Sequence, residues 1–563
     1  MNFSFPSIDR VATLLIAFLT LATSLVAQER PEDPEPAPEE VLEQYRAAID
    51  ASHRRAEYGG KFEDPTGRHE WFMFQRSFPY PYLPAGVRQN AIRETEILKS
   101  RIADAELRAD FGDEKARTAA MDDVPRWRNI GPFNTAGRIR GLLVHPNDQG
   151  TIYVGAASGG VWKNEGDPDV WVSNFDKQTG LAIGSMAFDP TDPEIIYVGT
   201  GEGINSHTST FNATPAYFGD GMFKSTDGGE TWSNIGLNFL GTISAIYVRR
   251  DNPQIVFAAS AQGGGGLYRS SDGGENWSQV SGIGGALFNI EVSRTNEDHM
   301  LISSASRIYY SFDGGERFAP AGNYAPTRAR RTEIAIAPSD PATVYALVAR
   351  STNSQTDTRN FAAFYVSSDS GQNWSLKSTF GSDVRSFFNG QGHYNNCIAV
   401  HPTKPQVVLV GGIDIFRTSN GGTSFSNTTL SYRGGDVHPD QHIVVFDPKD
   451  PSVVFLGNDG GVYRSDDEGR NWDRISASLP ITQYYEIGLD QSRPYRAYGG
   501  TQDNGTQGSF DSEDWAHDWP NINGGDGFHV VVDPQIPDFV YAESQYGVLR
   551  RIDTRNFSSR YLP

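Results

Sequence analysis

Cysteine, basic residues and long apolar runs are all scarce in this sequence. The single cysteine, Cys397, excludes an intrachain disulfide and a multi-cysteine zinc site, and its apolar neighbours predict a small buried side chain. Only 48 lysines and arginines face 69 acidic residues, and the net charge of −21 argues against a nucleic-acid partner. A hydrophobic content of 38% with 59 glycines and 32 prolines is lean for a helical bundle and typical of an all-β protein.

One apolar run stands at the N-terminus. Residues 11–26 carry no charge and follow Arg10, which is short for a membrane span and suits the core of a signal peptide. We therefore predict a signal peptide over residues 1–27, with cleavage after Ala27 or Ser24. A second run of that length is absent from the sequence, so we expect no membrane span after cleavage. The predicted location is secreted, periplasmic or at the cell surface.

Two further segments precede the main body of the chain. Residues 28–40 are rich in proline and acid, which predicts an extended, solvated linker. Residues 41–126 include two stretches with helical spacing of apolar residues, so we predict a helical N-terminal extension.

From Trp127 to the end, over residues 127–563, the sequence repeats itself. Nine units can be recognised, each with an apolar strand, a proline turn and a second apolar strand, as in MAFDPTDPEIIYVGT and IAIAPSDPATVYALV. Such a repeat predicts one four-stranded β-propeller blade per unit. Two arrangements remain open, namely one complete seven-bladed ring plus part of a second, or a single ring of nine to ten blades.

Most repeats end in a turn motif, Ser-x-Asp-x-Gly-x-x-Trp/Phe. The serine and aspartate side chains can bond turn backbone, the glycine allows positive φ, and the ring can pack in the blade core. We therefore interpret these aspartates as structural. The copies are Ser225–Trp232, Ser270–Trp277, Ser311–Phe318, Ser367–Trp374 and Ser465–Trp472, with Thr418–Phe425 as a degenerate sixth.

The ends of the repeat region suggest a closure. Residues 127–131 resemble residues 232–236, the segment that follows one of the turn motifs. In the sequence, the last repeat stops near Asp553 without an outer strand. We therefore predict that residues 127–131 supply that strand and clasp the ring.

The turn motif resembles the Asp-box, also called the bacterial neuraminidase repeat. The repeat region is similar to the Asp-box β-propeller superfamily, which includes sialidases, xyloglucan-cleaving endoglucanases and sortilin-type receptors. Segments such as VHPDQHIVVFDP (437–448) and GGTQDNGT (499–506) resemble exported bacterial proteins described as glycosyl-hydrolase-like or sortilin (Vps10)-like. This resemblance implies a propeller and leaves binding and hydrolysis both open.

One departure from the resemblance bears on activity. The xyloglucanase-like enzymes place a catalytic aspartate in a first-blade segment that matches residues 155–162, where this chain has Ser158. A serine cannot replace a carboxylate as general acid or base. Our preferred interpretation is an exported, non-catalytic propeller that binds an extracellular protein or polysaccharide. The alternative is a polysaccharide-active glycoside hydrolase that uses carboxylates of the central channel, with Glu202, Asp459 and Asp503 as catalytic candidates.

The candidate binding residues follow from the expected blade geometry. We take the Tyr-x-Gly-type strand of each repeat as the innermost one and expect its end to reach the channel mouth, where ligands of propellers bind. The alternative is that these residues are polar only because water reaches them. The predicted ligand-binding set is Ser158, Glu202, Arg350, Asp414, Asp459, Asp503 and Asp526.

A metal site is a further possibility, although we expect no cofactor to be required. His438, Asp440 and His442 alternate along one segment and would share a strand face, and these side chains are ligands for zinc. The alternative is a hydrogen-bonded polar cluster. Loops 501–505 and 524–527 offer oxygen ligands of the kind that calcium accepts.

Overall fold

The computed structural model describes residues 87–110, 130–148, 150–203, 217–261, 265–350, 362–379, 387–388, 391–510 and 519–562. The predicted signal peptide and linker lie outside them. The chain divides into two compact units, Met1–Met121 and Asp122–Pro563. The first contains helix α1 (Val87–Asp110), within the segment for which the sequence predicts helices. Among the described residues, α1 included, no helix has the length and apolarity needed to span a bilayer.

The described residues of the second unit form nine antiparallel sheets, each a meander of consecutive strands. Blade 1 has three strands, and a single bridge between Lys163 and Val172 marks the place of its fourth. The strands of the first three blades are β1 (Ile139–Val144), β2 (Thr151–Ala156) and β3 (Val161–Glu165); β4 (Ile183–Phe188), β5 (Ile196–Thr200), β6 (Met222–Ser225) and β7 (Ser233–Asn234); and β8 (Ala245–Val248), β9 (Val256–Ser260), β10 (Gly266–Ser270) and β11 (Ser278–Gln279).

Blades 4 to 7 have four strands each. Their strands are β12 (Leu287–Ser293), β13 (Asn296–Ser304), β14 (Ile308–Ser311) and β15 (Ala319–Pro320); β16 (Ala329–Ile336), β17 (Val344–Arg350), β18 (Ala362–Ser367) and β19 (Ser375–Thr379); β20 (Cys397–Val400), β21 (Val408–Gly411), β22 (Ile415–Thr418) and β23 (Ser426–Asn427); and β24 (Gln441–Phe446), β25 (Val454–Asn458), β26 (Gly461–Ser465) and β27 (Asp473–Arg474).

The last two sheets, blades 8 and 9, follow the same plan. Their strands are β28 (Tyr484–Leu489), β29 (Ala497–Thr501), β30 (Gly505–Gly508) and β31 (Asn521–Asn523); and β32 (Gly527–Val532), β33 (Phe539–Ser544), β34 (Val548–Asp553) and β35 (Ser558–Tyr561), with a short 3-10 helix, Gln545–Gly547, before β34.

The contacts between blades decide the ring size. The first strands pack against one another in order from β1 through β4, β8, β12, β16 and β20 to β24, and β24 packs back against β1. Blades 1 to 7 therefore close a complete ring. Strand β32 packs against β28 and β29, so blades 8 and 9 pair with each other as part of a second ring. The first predicted arrangement is confirmed, and the single ring of nine to ten blades is wrong.

The predicted clasp is also wrong. Blade 9 has its own outer strand, β35, paired with β34, so its fourth position is already filled. The segment after residue 130 lies against the connection that follows blade 7 instead. The carbonyl of Phe133 accepts a hydrogen bond from the Ser478 amide at 2.7 Å, and that of Thr135 accepts one from the Thr482 hydroxyl at 2.6 Å. Residues 127–129 lie outside the described part.

The turn motifs have the structural role that the sequence predicts. In blade 3 the Ser270 hydroxyl donates to Asp272 at 2.7 Å and accepts from the Gly274 amide at 2.8 Å. The Asp272 carboxylate in turn accepts the Asn276 amide at 2.9 Å, and Gly274 has a φ of +97°, which favours glycine. The indole of Trp277 donates to the Ile235 carbonyl of blade 2 at 2.9 Å, so this motif also ties blade 3 to the preceding blade.

Candidate functional site at the hub of the ring

The strand that we predicted to be innermost from the sequence is not the innermost strand, but the residues chosen at its end still lie at the end of the blade that faces the hub. The innermost strand is the first of each repeat, such as β1, and the Tyr-x-Gly-type strand is the second. Strand β2 is buried along its whole length because β1 and β3 flank it, and this gives it the most apolar sequence. Since β1 and β2 are antiparallel, with Ile139 opposite Ala156, the residue after the second strand still lies beside the start of the first.

Arg138, just before β1, is the centre of the buried cluster at this end. Its Nε lies 2.8 Å from Glu202 Oε1 and its Nη2 donates to Glu202 Oε2 at 3.1 Å, which is a two-point ion pair. Its Nη1 donates to the Tyr394 hydroxyl at 2.5 Å. Only 2% of Arg138 and 1% of Glu202 are exposed. The pair therefore stabilises two charges that would each be costly to bury alone.

A second chain of hydrogen bonds leads to Asp459, which follows β25. The Tyr394 hydroxyl donates to Asp459 Oδ2 at 2.6 Å, and His442 Nε2 lies 2.6 Å from Asp459 Oδ1. On the other side of the His442 imidazole, Nδ1 lies 2.9 Å from Arg140 Nη1. An arginine can only donate, so His442 accepts through Nδ1 and carries its proton on Nε2. Burial, followed by the charge of Arg140, holds the pKa of His442 well below its ordinary value and keeps it neutral.

Asp459 shares a hydrogen bond with Asp503, the residue at the tip of the β29–β30 hairpin. Burial raises the pKa of both carboxyl groups, and with the added charge of Asp459 that of Asp503 reaches about 7. The Asp503 side chain is 27% exposed, whereas that of Asp459 is fully buried. The backbone of Asp503 is left-handed, with a φ of +61°, and its amide donates to Asp526 Oδ1 at 2.7 Å.

The hydrogen bonds place the shared proton on Asp503. Both oxygens of Asp459 already accept hydrogen bonds, from His442 and Tyr394, so Asp459 is the acceptor in the carboxyl pair. A hydrogen bond between two carboxyl groups needs one proton, and Asp503 therefore supplies it. Near neutral pH the pair consists of a buried carboxylate and a partly exposed acid. Such a group can donate a proton to a bound molecule.

The structure brings together four of the seven predicted ligand-binding residues. Glu202, Asp459, Asp503 and Asp526 are joined by the contacts given above. Asp414 is held inside blade 6, where it accepts hydrogen bonds from Asn427, Thr429 and Ser431 at 2.7–2.8 Å.

The other two predicted residues, Arg350 and Ser158, have no hydrogen bond or ion pair to the carboxyl pair within the described part of the chain. Arg350 donates through Nε to the Thr327 carbonyl at 2.7 Å, and Ser158 is exposed in the turn between β2 and β3.

The three predicted zinc ligands have separate partners. His438 contacts the carbonyls of Pro439 and Asp503 through its two ring nitrogens. Asp440 accepts from the Asn395 amide at 2.5 Å, and burial raises its pKa well above the ordinary value. His442 is engaged as described above. Across the described residues, no group of three or more histidine, cysteine, aspartate or glutamate side chains is arranged to hold an ion. A zinc or calcium site stays a prediction from the sequence alone.

Three residues of the cluster were not among the predicted site residues. Arg138 and Arg140 alternate at the start of an apolar strand, and two charges on one face of such a strand are a signal that could have been used. Tyr394 comes from the long connection between β19 and β20, outside the repeated strands. Its position could not be inferred from the repeat pattern.

Comparisons with known proteins agree with this architecture. The family model described as "Sortilin, neurotensin receptor 3" (Sortilin-Vps10) matches residues 265–405. Among solved structures, the chain is similar to an ancestral GH74 enzyme, with a TM-score of 0.57 and 17% identity over 78% of this chain and 63% of that one. The fold is that of an Asp-box β-propeller. At this identity the likeness concerns the fold alone.

Curated relatives match over shorter stretches. Xyloglucanase Xgh74A of Acetivibrio thermocellus is 26% identical over 126 residues, which are 21% of this chain and 14% of that protein. The oligoxyloglucan-reducing end-specific xyloglucanase of Emericella nidulans is 32% identical over 80 residues, or 13% of this chain and 10% of that protein. The chain thus matches only a small part of either relative.

Proposed function

We propose that this protein is a glycoside hydrolase that acts on a polysaccharide such as xyloglucan, with Asp503 as its general acid. The observation that carries the proposal is the Asp459–Asp503 pair, which keeps a proton on a partly exposed carboxyl group near neutral pH. A general acid for glycosidic oxygen needs such a raised pKa. The alignments with two xyloglucanases support the substrate class. Action outside the cell rests on the signal peptide predicted for residues 1–27.

In this mechanism Asp503 transfers its proton to the glycosidic oxygen as the bond from that oxygen to the sugar carbon breaks. Water then supplies the hydroxyl group to that carbon and a proton to the solvent. The new Asp503 carboxylate lies 3.8 Å from Arg138 Nη1, which stabilises it. Asp459 stays ionised throughout and is a positioning residue.

Asp459 cannot serve as the second catalytic carboxylate. In glycoside hydrolases the two carboxyl groups lie about 5–5.5 Å apart for retention or about 6.5–9.5 Å apart for inversion. Asp459 and Asp503 are within hydrogen-bond reach of each other, which leaves no room for a sugar carbon or a water between them. The group that activates water must therefore lie across the bound sugar from Asp503.

A non-catalytic polysaccharide-binding protein is the second candidate. The exposed Ser158 favours it, because the turn after β2 offers a hydroxyl where the resemblance implies a catalytic aspartate. Both candidates use the same end of the ring and differ in whether the bound glycan is cleaved.

The test is a hydrolysis screen on xyloglucan, mixed-linkage β-glucan and mannan, with reducing ends as the readout. Asp503→Asn can still donate a hydrogen bond to Asp459 but cannot release a proton, so we expect kcat to fall by about 10²–10⁴-fold. Asp467→Asn, at an Asp-box turn of blade 7, is the control and should retain kcat. Equal activity in both variants would exclude Asp503 as the acid. Binding without cleavage by the unmodified chain would favour the second candidate.

A further inference from the structure

The outer rim between blades 1 and 2 contains a cavity of about 350 Å³. Its walls include Tyr153 and Trp232, with Lys163, Asn174 and Glu230 around them. Its volume is near the lower end of the range of roughly 300–1,000 Å³ for small-molecule sites. This cavity is on the outer edge of the blades and is separate from the residues of the hub.

The next junction, between blades 2 and 3, shows why the cavity exists. The register there pairs Tyr197 with Lys224 and Lys224 with Ser233, just as Tyr153 pairs with Lys163 and Lys163 with Val172 in blade 1. Two residues beyond Ser233 is Ile235. Asn174 lies two residues beyond Val172 and is therefore the structural equivalent of Ile235.

This one difference changes the packing. Ile235 fills its junction, since its side chain would lie 2.6 Å from a Cβ on Gly274, and its carbonyl accepts from the Trp277 indole. At the blade 1–2 junction the corresponding Asn174 points to Glu230, with 2.9 Å between its Nδ2 and Glu230 Oε2. The Trp232 indole donates to Gly229 of its own turn at 3.0 Å. The space that an isoleucine fills in one junction stays open in the other.

The chemistry of the walls identifies the class of ligand. Trp232 presents aromatic surface and is braced edge-on by Phe175, with ring centroids 5.1 Å apart, whereas Tyr153 is only 3% exposed. Lys163 and Glu165 form an ion pair at 2.7 Å, and both side chains reach solvent. Aromatic surface beside paired donors and acceptors suits a sugar ring, which has apolar C–H faces and hydroxyl edges. Acids outnumber bases around the opening, which disfavours an anionic sugar.

We propose that this cavity binds a neutral sugar unit of a polysaccharide, as a second glycan site on the rim between blades 1 and 2. The sugar ring packs on Trp232, and its hydroxyls exchange hydrogen bonds with Asn174, Glu230 and Lys163. The site does not depend on catalysis at the hub. It would hold a long chain to the protein whether or not that chain is cleaved.

The decisive variant is Asn174→Ile, which gives blade 1 the residue that fills the next junction. Xyloglucan heptasaccharide and cellotetraose are titrated calorimetrically into the full chain and the variants. We expect binding of at least one probe to the unmodified chain and about a tenfold or greater loss of affinity at one site in Asn174→Ile. Glu275→Ala is the matched control, because Glu275 is at the position in blade 3 that Glu230 has in blade 2. It should bind like the unmodified chain.

Glu230→Ala leaves the cavity open but removes a hydrogen-bonding wall, so it gives a second variant if Asn174→Ile does not fold. We expect it to lose affinity at the same site. Equal binding by the unmodified chain, Glu230→Ala and Glu275→Ala would overturn the proposal, as would the absence of binding of either probe at millimolar concentration. Absence of hydrolysis by the unmodified chain, with rim binding intact, would count against the hub proposal alone.

Discussion

The Asp-box aspartates at the outer rim and the buried aspartates at the hub have pKa values that are shifted in opposite directions. At the rim, hydrogen bonds from Asn276 and Ser270 hold the pKa of Asp272 at about 2. At the hub, burial raises the pKa of Asp503 to about 7. The sequence places both in short turns after apolar strands. The difference comes from how many amides and how much water reach each carboxyl group.

The comparison separates structural from chemical carboxylates. The Asp272 carboxylate is a fixed acceptor for turn amides, and protonating it would break the turn. The Asp503 carboxyl group accepts few hydrogen bonds and instead shares a proton with Asp459 in a buried site. A carboxyl group that keeps its proton near neutral pH can act as a general acid. A carboxyl group that is ionised at that pH can instead hold a turn by accepting hydrogen bonds from its amides.

The largest effect should follow from removing the cation of the hub. Arg138→Met leaves Glu202 and the Asp459–Asp503 pair buried without their main counter-charge. We expect a loss of about 3–5 kcal/mol in the free energy of unfolding, as for other broken buried ion pairs. Urea unfolding followed by tryptophan fluorescence would measure it.

The double variant Arg138→Met/Glu202→Gln tests the cause of that loss. Removing the orphaned charge of Glu202 as well should recover part of the stability. If the single variant lost less than about 1 kcal/mol, the hub would not depend on the pair in the way argued above.

The second effect concerns pH. An aspartate has a pKa of about 3.9 in an unfolded chain, whereas that of Asp503 is about 7 in the folded protein. Between these values the folded state binds the extra proton, so this group's contribution to stability is full below about pH 4 and is lost as the pH rises to 7. The slope is about 1.4 kcal/mol per pH unit at most.

The matched measurement is urea unfolding at half-unit steps from pH 5 to 7. The curve of Asp503→Asn should lack this downward slope, so its difference from the curve of the unmodified chain isolates the contribution of Asp503. The rim aspartates predict the opposite sign, because a lowered pKa such as that of Asp272 contributes stability above about pH 4 that is lost as the pH falls towards 2. Parallel curves for the two proteins between pH 5 and 7 would contradict the assignment of the proton.

Features that depend on residues close together in the sequence could be predicted, whereas features that depend on contacts between distant residues could not. The Asp-box turns could be predicted because their side-chain hydrogen bonds lie within eight residues, and the blades because the pattern of apolar strands repeats. The ring size depends on β24 meeting β1, some 300 residues apart, and no local pattern records it. Glu202, Asp459 and Asp503 could be predicted because each follows a second strand. Tyr394 could not, since it stands in the long connection between β19 and β20, outside the repeated strands.

The smallest effect is expected at the rim. Ser270→Ala removes the acceptor for the buried Gly274 amide and the donor to Asp272. Leaving that amide unsatisfied should cost about 1–2 kcal/mol in the free energy of unfolding. Ser271→Ala, at the exposed neighbouring position, is the control and should cost almost nothing. Because the turn is far from the proton-sharing pair, the slope of stability between pH 5 and 7 should be the same in Ser270→Ala as in the unmodified chain. A changed slope would mean that rim and hub are coupled and that their aspartates cannot be treated as separate classes.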